Sequence, residues 1–377
     1  MDRPYLQDLR VRNYGCIQDA SLTLSPLHAL IGPNDSGKTT ILRAIETVAF
    51  VLSFRPMDRE ALLYSTLMRN CESADSVFFG STSPSARERA TVGISPLDLG
   101  ISMPRSKASL EITFLRKAGG DCKYRTFWID GSAPPGWLPG HWRSRGSLHT
   151  MAEINEILRN CTLLRLGPDA LRTPHKLLQD GVPITFQDER GLGLPAIYDA
   201  IQNRDIDAFL ALNAELVRLF PDIKSIRLTN PTNDTKSVGV NLVDGTFVPS
   251  ESMSEGMLYY LAFAALRYID QPAILLIEEP ENGLHPARIV EVMRVLRELS
   301  KTTQIILATH SPLVVNELEP HEVSVITRNR DTGTRATLMK DTANFEERSK
   351  VYALGELWLS YANGMDEAPL ISGGPRP

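Results

Sequence analysis

The 377-residue chain has no apolar run long enough to cross a bilayer. Its longest such stretches, Tyr259 to Leu266 and Ala273 to Ile277, fall far short of the roughly 20 residues a membrane helix needs. The opening Met-Asp-Arg-Pro lacks the apolar core of a secretory signal. A soluble, cytoplasmic protein without membrane partners is therefore expected. Cysteine is scarce: Cys16, Cys71, Cys122 and Cys161 stand far apart, with no C-x-x-C pair. The seven histidines show no H-x-x-x-H spacing. This speaks against a structural zinc site, and isolated thiols suit a reducing compartment. Internal repeats and coiled-coil heptads are missing too, which excludes a repeat array and a long coiled-coil arm. The net charge of -5 is mild, but its distribution is uneven. Residues 101–150 hold eight Lys and Arg against three acids, a local +5 that leaves -10 elsewhere.

What is present is an alternation of strands and helices. Leu6, Leu9 and Val11, then Ile17, Leu22 and Leu24, then Leu27 to Ile31 read as three strands. A glycine-rich turn follows, and Thr39 to Val48 reads as a helix that turns Ile41, Leu42 and Ile45 inward. From 51 to 195 the pattern is irregular. Ser, Pro and Arg cluster at 81–106 as an excursion, and the Pro/Gly/Trp-rich stretch 131–147 reads as loop. Between these, Ser109–Leu115 and Tyr124–Ile129 flank a Gly-Gly-Asp turn as a hairpin. A short helix is expected at 151–160 and a buried strand at 161–166. Residues 195–220 read as one long amphipathic helical segment, with Ile197, Ile201, Phe209, Leu212, Leu216 and Leu219 at helical spacing. Strands at 223–228, 238–243 and 273–277, a helix at 286–300 and the strand Gln304–Ala308 complete a β/α half. The tail from 341 ends in Gly and Pro and reads as frayed.

Four short stretches carry chemistry. Gly32, Pro33, Asn34, Asp35, Ser36, Gly37, Lys38 and Thr39, with Thr40 behind them, fit G-x-x-x-x-G-K-[ST] in full. The glycines let the backbone wrap an anion, so that amides and the next helix N-terminus face phosphate oxygens. Lys38 would bridge the β- and γ-phosphates and the Thr39 hydroxyl would bind Mg²⁺. Next, the apolar strand Ala273–Ile277 ends in Glu278 and Glu279. One acid could hold the metal's water shell and the other polarise an attacking water. Thr309-His310-Ser311 follows the apolar strand Ile305–Ala308, where a histidine could reach a γ-phosphate. Ser254, Glu255 and Gly256 precede the apolar stretch Met257–Tyr268, with Ser254 read as a helix N-cap.

In this order the elements resemble the ABC-type ATPases of the RecF/SMC/OLD group, and among them bacterial RecF-like ATPases with a single ABC head. The resemblance covers about 1–50 and 160–330. It rests on the phosphate loop and on Ser254-Glu-Gly as a degenerate signature motif. It rests equally on Ile277-Glu-Glu-Pro-Glu-Asn-Gly-Leu-His-Pro as Walker B plus D-loop, and on Thr309-His-Ser as the switch histidine. It implies an α/β fold: an ABC-type P-loop NTPase head with a mixed sheet, flanking helices and an N-terminal antiparallel β-subdomain. The core would be split between 1–50 and 220–340 by an inserted α+β lobe at 51–219, with a short tail at 341–377. It also implies ATP and Mg²⁺ as ligands, and a head-to-tail homodimer with ATP at its interface. There the phosphate loop of one subunit faces Ser254, Glu255 and Gly256 of the other. Glu278 and Thr39 would sit at the metal, Glu279 would be the catalytic base and His310 the γ-phosphate sensor.

Three departures from the group's pattern bear on rate. Glu278 stands where a metal-side Asp is usual, and its extra methylene moves the carboxylate by about 1.5 Å. The signature lacks its second glycine, and Glu255 puts negative charge near the docking γ-phosphate. No Gln lies between Gln18 and Gln179, so no Q-loop residue can be assigned. The only D-x-D is Asp205-Ile-Asp207, at the start of a helical segment, so any Toprim nuclease is expected on a separate chain. The expectation is a nucleotide-gated dimeric switch with slow hydrolysis, working with a separate effector in phage defence or a DNA-related system. The alternatives are a DNA-binding repair ATPase of the RecF kind, using the basic segment 101–150 with Trp128, Trp137 and Trp142, and less readily a transporter ATPase subunit.

Overall fold

The computed structural model describes residues 5–53, 89–96, 109–116, 122–129, 158, 160–329, 333–342 and 344–362. The elements, in chain order, are β1 (Leu6–Tyr14), β2 (Ile17–Thr23), β3 (Leu27–Ile31), α1 (Lys38–Ser53), β4 (Arg89–Pro96), β5 (Ser109–Arg116) and β6 (Cys122–Ile129). There follow β7 (Thr162–Leu164), α2 (Pro168–Arg172), β8 (His175–Lys176), α3 (Leu194–Arg204), α4 (Ile206–Leu219), β9 (Ile223–Thr229), β10 (Thr235–Leu242) and β11 (Phe247–Pro249). The remainder is α5 (Glu255–Ala265), β12 (Ile274–Glu278), α6 (Pro286–Leu299), β13 (Gln304–Thr309), α7 (Pro312–Asn316), β14 (Val323–Asn329), β15 (Gly333–Leu338), α8 (Phe345–Arg348) and α9 (Leu354–Ala362). No helix among the described residues is long and apolar enough to cross a membrane.

The chain forms two compact units, one of Met1–Thr162, Ala273–Leu276 and Ser300–Pro377, the other of Leu163–Pro272 and Ile277–Leu299. This division does not follow the boundaries expected from the sequence, and pairing explains why. In the first unit an antiparallel sheet runs β2-β1-β4-β5-β6. Strands expected in the inserted lobe thus extend the N-terminal sheet by backbone hydrogen bonds. Period-two patterning sets the faces of β1: Leu6, Leu9 and Val11 are buried, while Arg10 and Arg12 face out and share Asp19 of β2. The expected hairpin is present as β5 and β6, in antiparallel register from Ser109↔Ile129 to Arg116↔Cys122.

The second sheet has the order β15-β14-β3-β13-β12-β7. β3 pairs in parallel with β13 and β14, and β15 closes the edge antiparallel to β14. Every residue of β3 and β13 is buried, as near-continuous apolar strands of a parallel sheet should be. Two polar side chains in this core are fully partnered. Gln304 donates to the carbonyl of Leu6 (2.8 Å) and accepts from its N–H (3.0 Å), tying β13 to the start of β1. His28 is held between Ser25 and Ser324 at 3.0 and 2.9 Å.

In the second unit β9 and β11 flank β10 antiparallel. Residues 195–220 are two helices rather than one segment, α3 and α4, separated at Asp205. Asp205 leaves helical geometry (φ -148°, ψ 85°), and its carboxylate accepts from the Ala208 N–H at 3.0 Å. A short acidic side chain thus competes with the backbone ladder and caps a new helix. The first part of the tail also departs from expectation: α8 and α9 are packed elements, with Leu357 and Trp358 3% and 4% exposed, while residues 363–377 lie outside the described residues. Within the excursion expected at 81–106, residues 89–96 instead form β4, paired with β1 and β5. The expected helix at 151–160 lies outside the described residues except at 158 and 160, and the loop at 131–147 lies wholly outside them.

Candidate functional site

The phosphate loop leaves the C-terminal end of buried β3 and enters α1 at Lys38. Its backbone turns through two left-handed positions, Asp35 (φ 63°) and Gly37 (φ 107°). The Lys38 ammonium donates to the carbonyls of Gly32 and Pro33, both at 2.8 Å, so it lies over the loop's concave side. No acid occupies the first turn of α1, and the amides of a first helical turn lack intrahelical acceptors. Amides plus one ammonium make a donor set that fits a phosphate chain. Asn34, Asp35 and Thr39 are exposed, while Ser36 is buried.

Three residues outside the motif brace this loop. The Thr334 hydroxyl donates to the Ser36 carbonyl at 3.0 Å, and the Arg328 guanidinium to the Asp35 carbonyl at 3.4 Å. The Cys16 thiol lies 3.3 Å from the Thr40 hydroxyl. Sequence reading missed all three, because no local pattern links the loop to residues up to 298 positions away.

His310 stands in the same unit, one residue beyond β13. The parallel register Thr309↔Ile31 sets it level with Gly32 at the same sheet end, and it is exposed.

The acidic and signature residues belong to the second unit. Glu278 ends β12 with 7% exposure. One carboxylate oxygen lies 3.5 Å from the Arg165 Nε, and the other is buried without a hydrogen-bond partner among the described residues. Such an orphaned carboxylate oxygen is costly unless something binds it, and a hard cation with its water shell fits that chemistry. Glu279 is left-handed (φ 48°) although it is not glycine, in a turn where Asn282 donates both its N–H (3.0 Å) and its side-chain amide (2.5 Å) back to Glu279. Strain of this kind persists only where neighbours impose it, and it clusters at functional sites.

Ser254 caps α5 as expected, accepting from the Met257 N–H at 3.4 Å. A side chain at Gly256 would put its Cβ 2.7 Å from the Gly283 carbonyl, so the helix start and the D-loop turn touch through their backbones. Ser254, Glu255, Asn282 and His285 are all exposed around this contact. The spacing of the two motifs, far apart in sequence, gave no hint of that contact.

A family model described as "AAA domain, putative AbiEii toxin, Type IV TA system" matches residues 170–316, and one of AAA ATPase domains matches residues 5–74. The OLD nuclease of Thermus scotoductus is 26% identical over 369 residues, a match covering 86% of this chain and 62% of that protein. The chain thus spans less than two thirds of that relative's length. Among solved structures, an Smc head bound to the C-winged helix domain of ScpA has a TM-score of 0.55 at 19% identity, covering 88% of this chain and 97% of that one. An Smc head with an extended coiled coil, bound to the C-terminal domain of ScpA and derived from Pyrococcus furiosus, has a TM-score of 0.56 at 16% identity, covering 92% and 98%.

These matches make the chain similar to the ABC-type ATPases of the RecF/SMC/OLD group. Its mixed α/β architecture, with a mostly parallel sheet, is that of the Smc heads. The two family models fall on the two parts of the chain where sequence placed the motifs: residues 5–74 include the phosphate loop, and 170–316 include Ser254, Glu278, Glu279 and His310. The basic side chains of 101–150 lie outside what the structure describes.

Proposed function

We propose that the protein binds ATP with Mg²⁺, hydrolyses it slowly, and works in the cytoplasm as a nucleotide-gated dimeric switch. Its role would be the ATPase and sensor component of a phage-defence or DNA-related system with a separate effector. The observation that carries this reading is the loop from Gly32 to Thr39, wound over a concave donor set with the Lys38 ammonium on its inner side. ATP would be held by that loop, with Thr39 and Glu278 as metal-side groups, Glu279 as base and His310 at the γ-phosphate. The bound metal would neutralise phosphate charge as the leaving oxygen departs. Dimer formation is supported by the exposed helix start at Ser254–Gly256, set against the D-loop turn on one surface of its unit. Slow turnover is supported by Glu255, whose charge opposes an approaching γ-phosphate.

Light scattering of Glu279→Gln in saturating MgATP tests the switch. A trapped dimer is expected, and a monomer under those conditions would sink the model. A second reading, a DNA-engaging ATPase, draws on the basic segment 101–150 and on the name of the OLD nuclease relative. Salt-dependent binding of a duplex oligonucleotide, flattened by removing Arg116, Lys117, Arg143 and Arg145, would favour it.

A further inference from the structure

The segment that carries His310 is clamped by an element far along the chain. The buried indole of Trp358 in α9 donates its Nε1–H to the His310 carbonyl at 3.2 Å. At the first turn of α9 the Gly355 N–H donates to the Asn316 side-chain oxygen at 2.7 Å, and a Cβ at Gly355 would collide with the Pro312 carbonyl. The start of α9 therefore lies with its backbone directly on α7, a packing that only glycine permits. Glu356 reaches back to the Ala353 N–H at 3.0 Å and closes the helix start. On the near side, the Ser311 N–H donates to the Thr309 hydroxyl at 3.0 Å. The peptide that follows His310 is thus held from both ends, which fixes the backbone from which the His310 side chain projects.

We infer that α9 is a positioning and output element for His310: Trp358 orients the histidine peptide, and a shift of that peptide on γ-phosphate contact is passed to the indole. The inference rests on the reading of His310 as the γ-phosphate sensor. It extends the nucleotide response to a helix well beyond the last motif. A hydrogen bond on a backbone carbonyl transmits displacement without contacting nucleotide, so Trp358 is a positioning residue.

The experiment uses the full chain with Trp128, Trp137 and Trp142 replaced by Phe, so that emission reports Trp358 alone. Nucleotide binding is measured in parallel by calorimetry, with MgADP and with Mg²⁺ and ATPγS. The expected result is an emission shift with ATPγS and none with ADP, abolished by His310→Ala while ATPγS still binds. Equal emission in both bound states would overturn the inference and leave the phosphate-loop reading intact. No binding of either nucleotide would overturn that reading, and this inference with it. As a second measurement, Trp358→Phe keeps the buried ring but removes the donor. It should lower kcat about fivefold with nucleotide affinity unchanged. A drop in melting temperature with kcat intact would make Trp358 merely structural and overturn the assignment.

Discussion

Single residues carry most of the chemistry here, and their tests are correspondingly local. Lys38 is the cation of the phosphate loop, and its two carbonyl contacts are those of a side chain folded back over the concave face. Lys38→Ala removes a charge-assisted donor, and calorimetry should show ATP affinity falling about 10- to 100-fold. His28 shows a different residue-scale effect. Burial pushes its pKa down to about 3, with Glu322 pulling it up and His321 pushing it down. Between that value and the ordinary 6.5 the unfolded chain binds a proton that the folded chain refuses, so stability rises with pH across this window. Acidification from pH 6.5 should cost up to about 1.4 kcal/mol per unit from this residue. Urea unfolding at pH 7 and pH 5 should show a smaller difference for His28→Gln than for the parent chain. The strand pattern identified His28 as part of β3, but only its hydroxyl partners Ser25 and Ser324 explain how a polar ring is tolerated there.

At the scale of elements, the capping of helices decided what periodicity could not. Apolar spacing runs straight through 195–220, because α3 and α4 both bury Leu and Ile at helical intervals. The break comes from one carboxylate at Asp205, and Asp205→Ala should destabilise the unit by about 1 kcal/mol through loss of the cap. Chemical denaturation would register it, and an unchanged midpoint would show that the cap contributes nothing. The start of α5 makes the matching case at the signature. Its Ser254 cap was legible from sequence, whereas its contact with the D-loop was not. Gly256→Ala must push the Gly283 carbonyl away from its 2.7 Å approach. Dimerisation in MgATP should weaken by light scattering, with nucleotide affinity of the monomer retained. Equal dimerisation would place the interface elsewhere.

At the scale of the whole molecule, charge networks tie helices from distant parts of the chain. In the second unit Glu215 of α4 accepts from Tyr260 of α5 at 2.8 Å and pairs with Arg267 and Arg294. Burial raises the Glu215 pKa, but the Tyr260 and Arg267 hydrogen bonds and the two guanidinium charges outweigh it and hold it below its ordinary value. Its stabilisation is therefore present above the unfolded carboxyl's pKa and is lost as pH falls through the lower folded value. Glu215→Gln should lower the melting temperature at pH 7 and leave a smaller gap near pH 4. This network joins α5 to α4 and α6.

The sequence by itself determined the phosphate loop, the acids at the end of β12, the Ser254 cap and the strand-then-helix order around them. All of these depend on residues close together in the chain, where spacing and residue type are the cause of the structure. Only the tertiary structure decided which strands extend the N-terminal sheet, that Thr334 and Arg328 brace the loop, and that Gly256 touches Gly283. The first part of the tail, up to residue 362, was likewise settled by packing. Its helix α9 is short, and its place comes from one indole hydrogen bond to His310 and one glycine laid against α7. Contacts between residues tens to hundreds of positions apart leave no periodic trace in a single sequence, because each partner satisfies its local pattern equally well without the other.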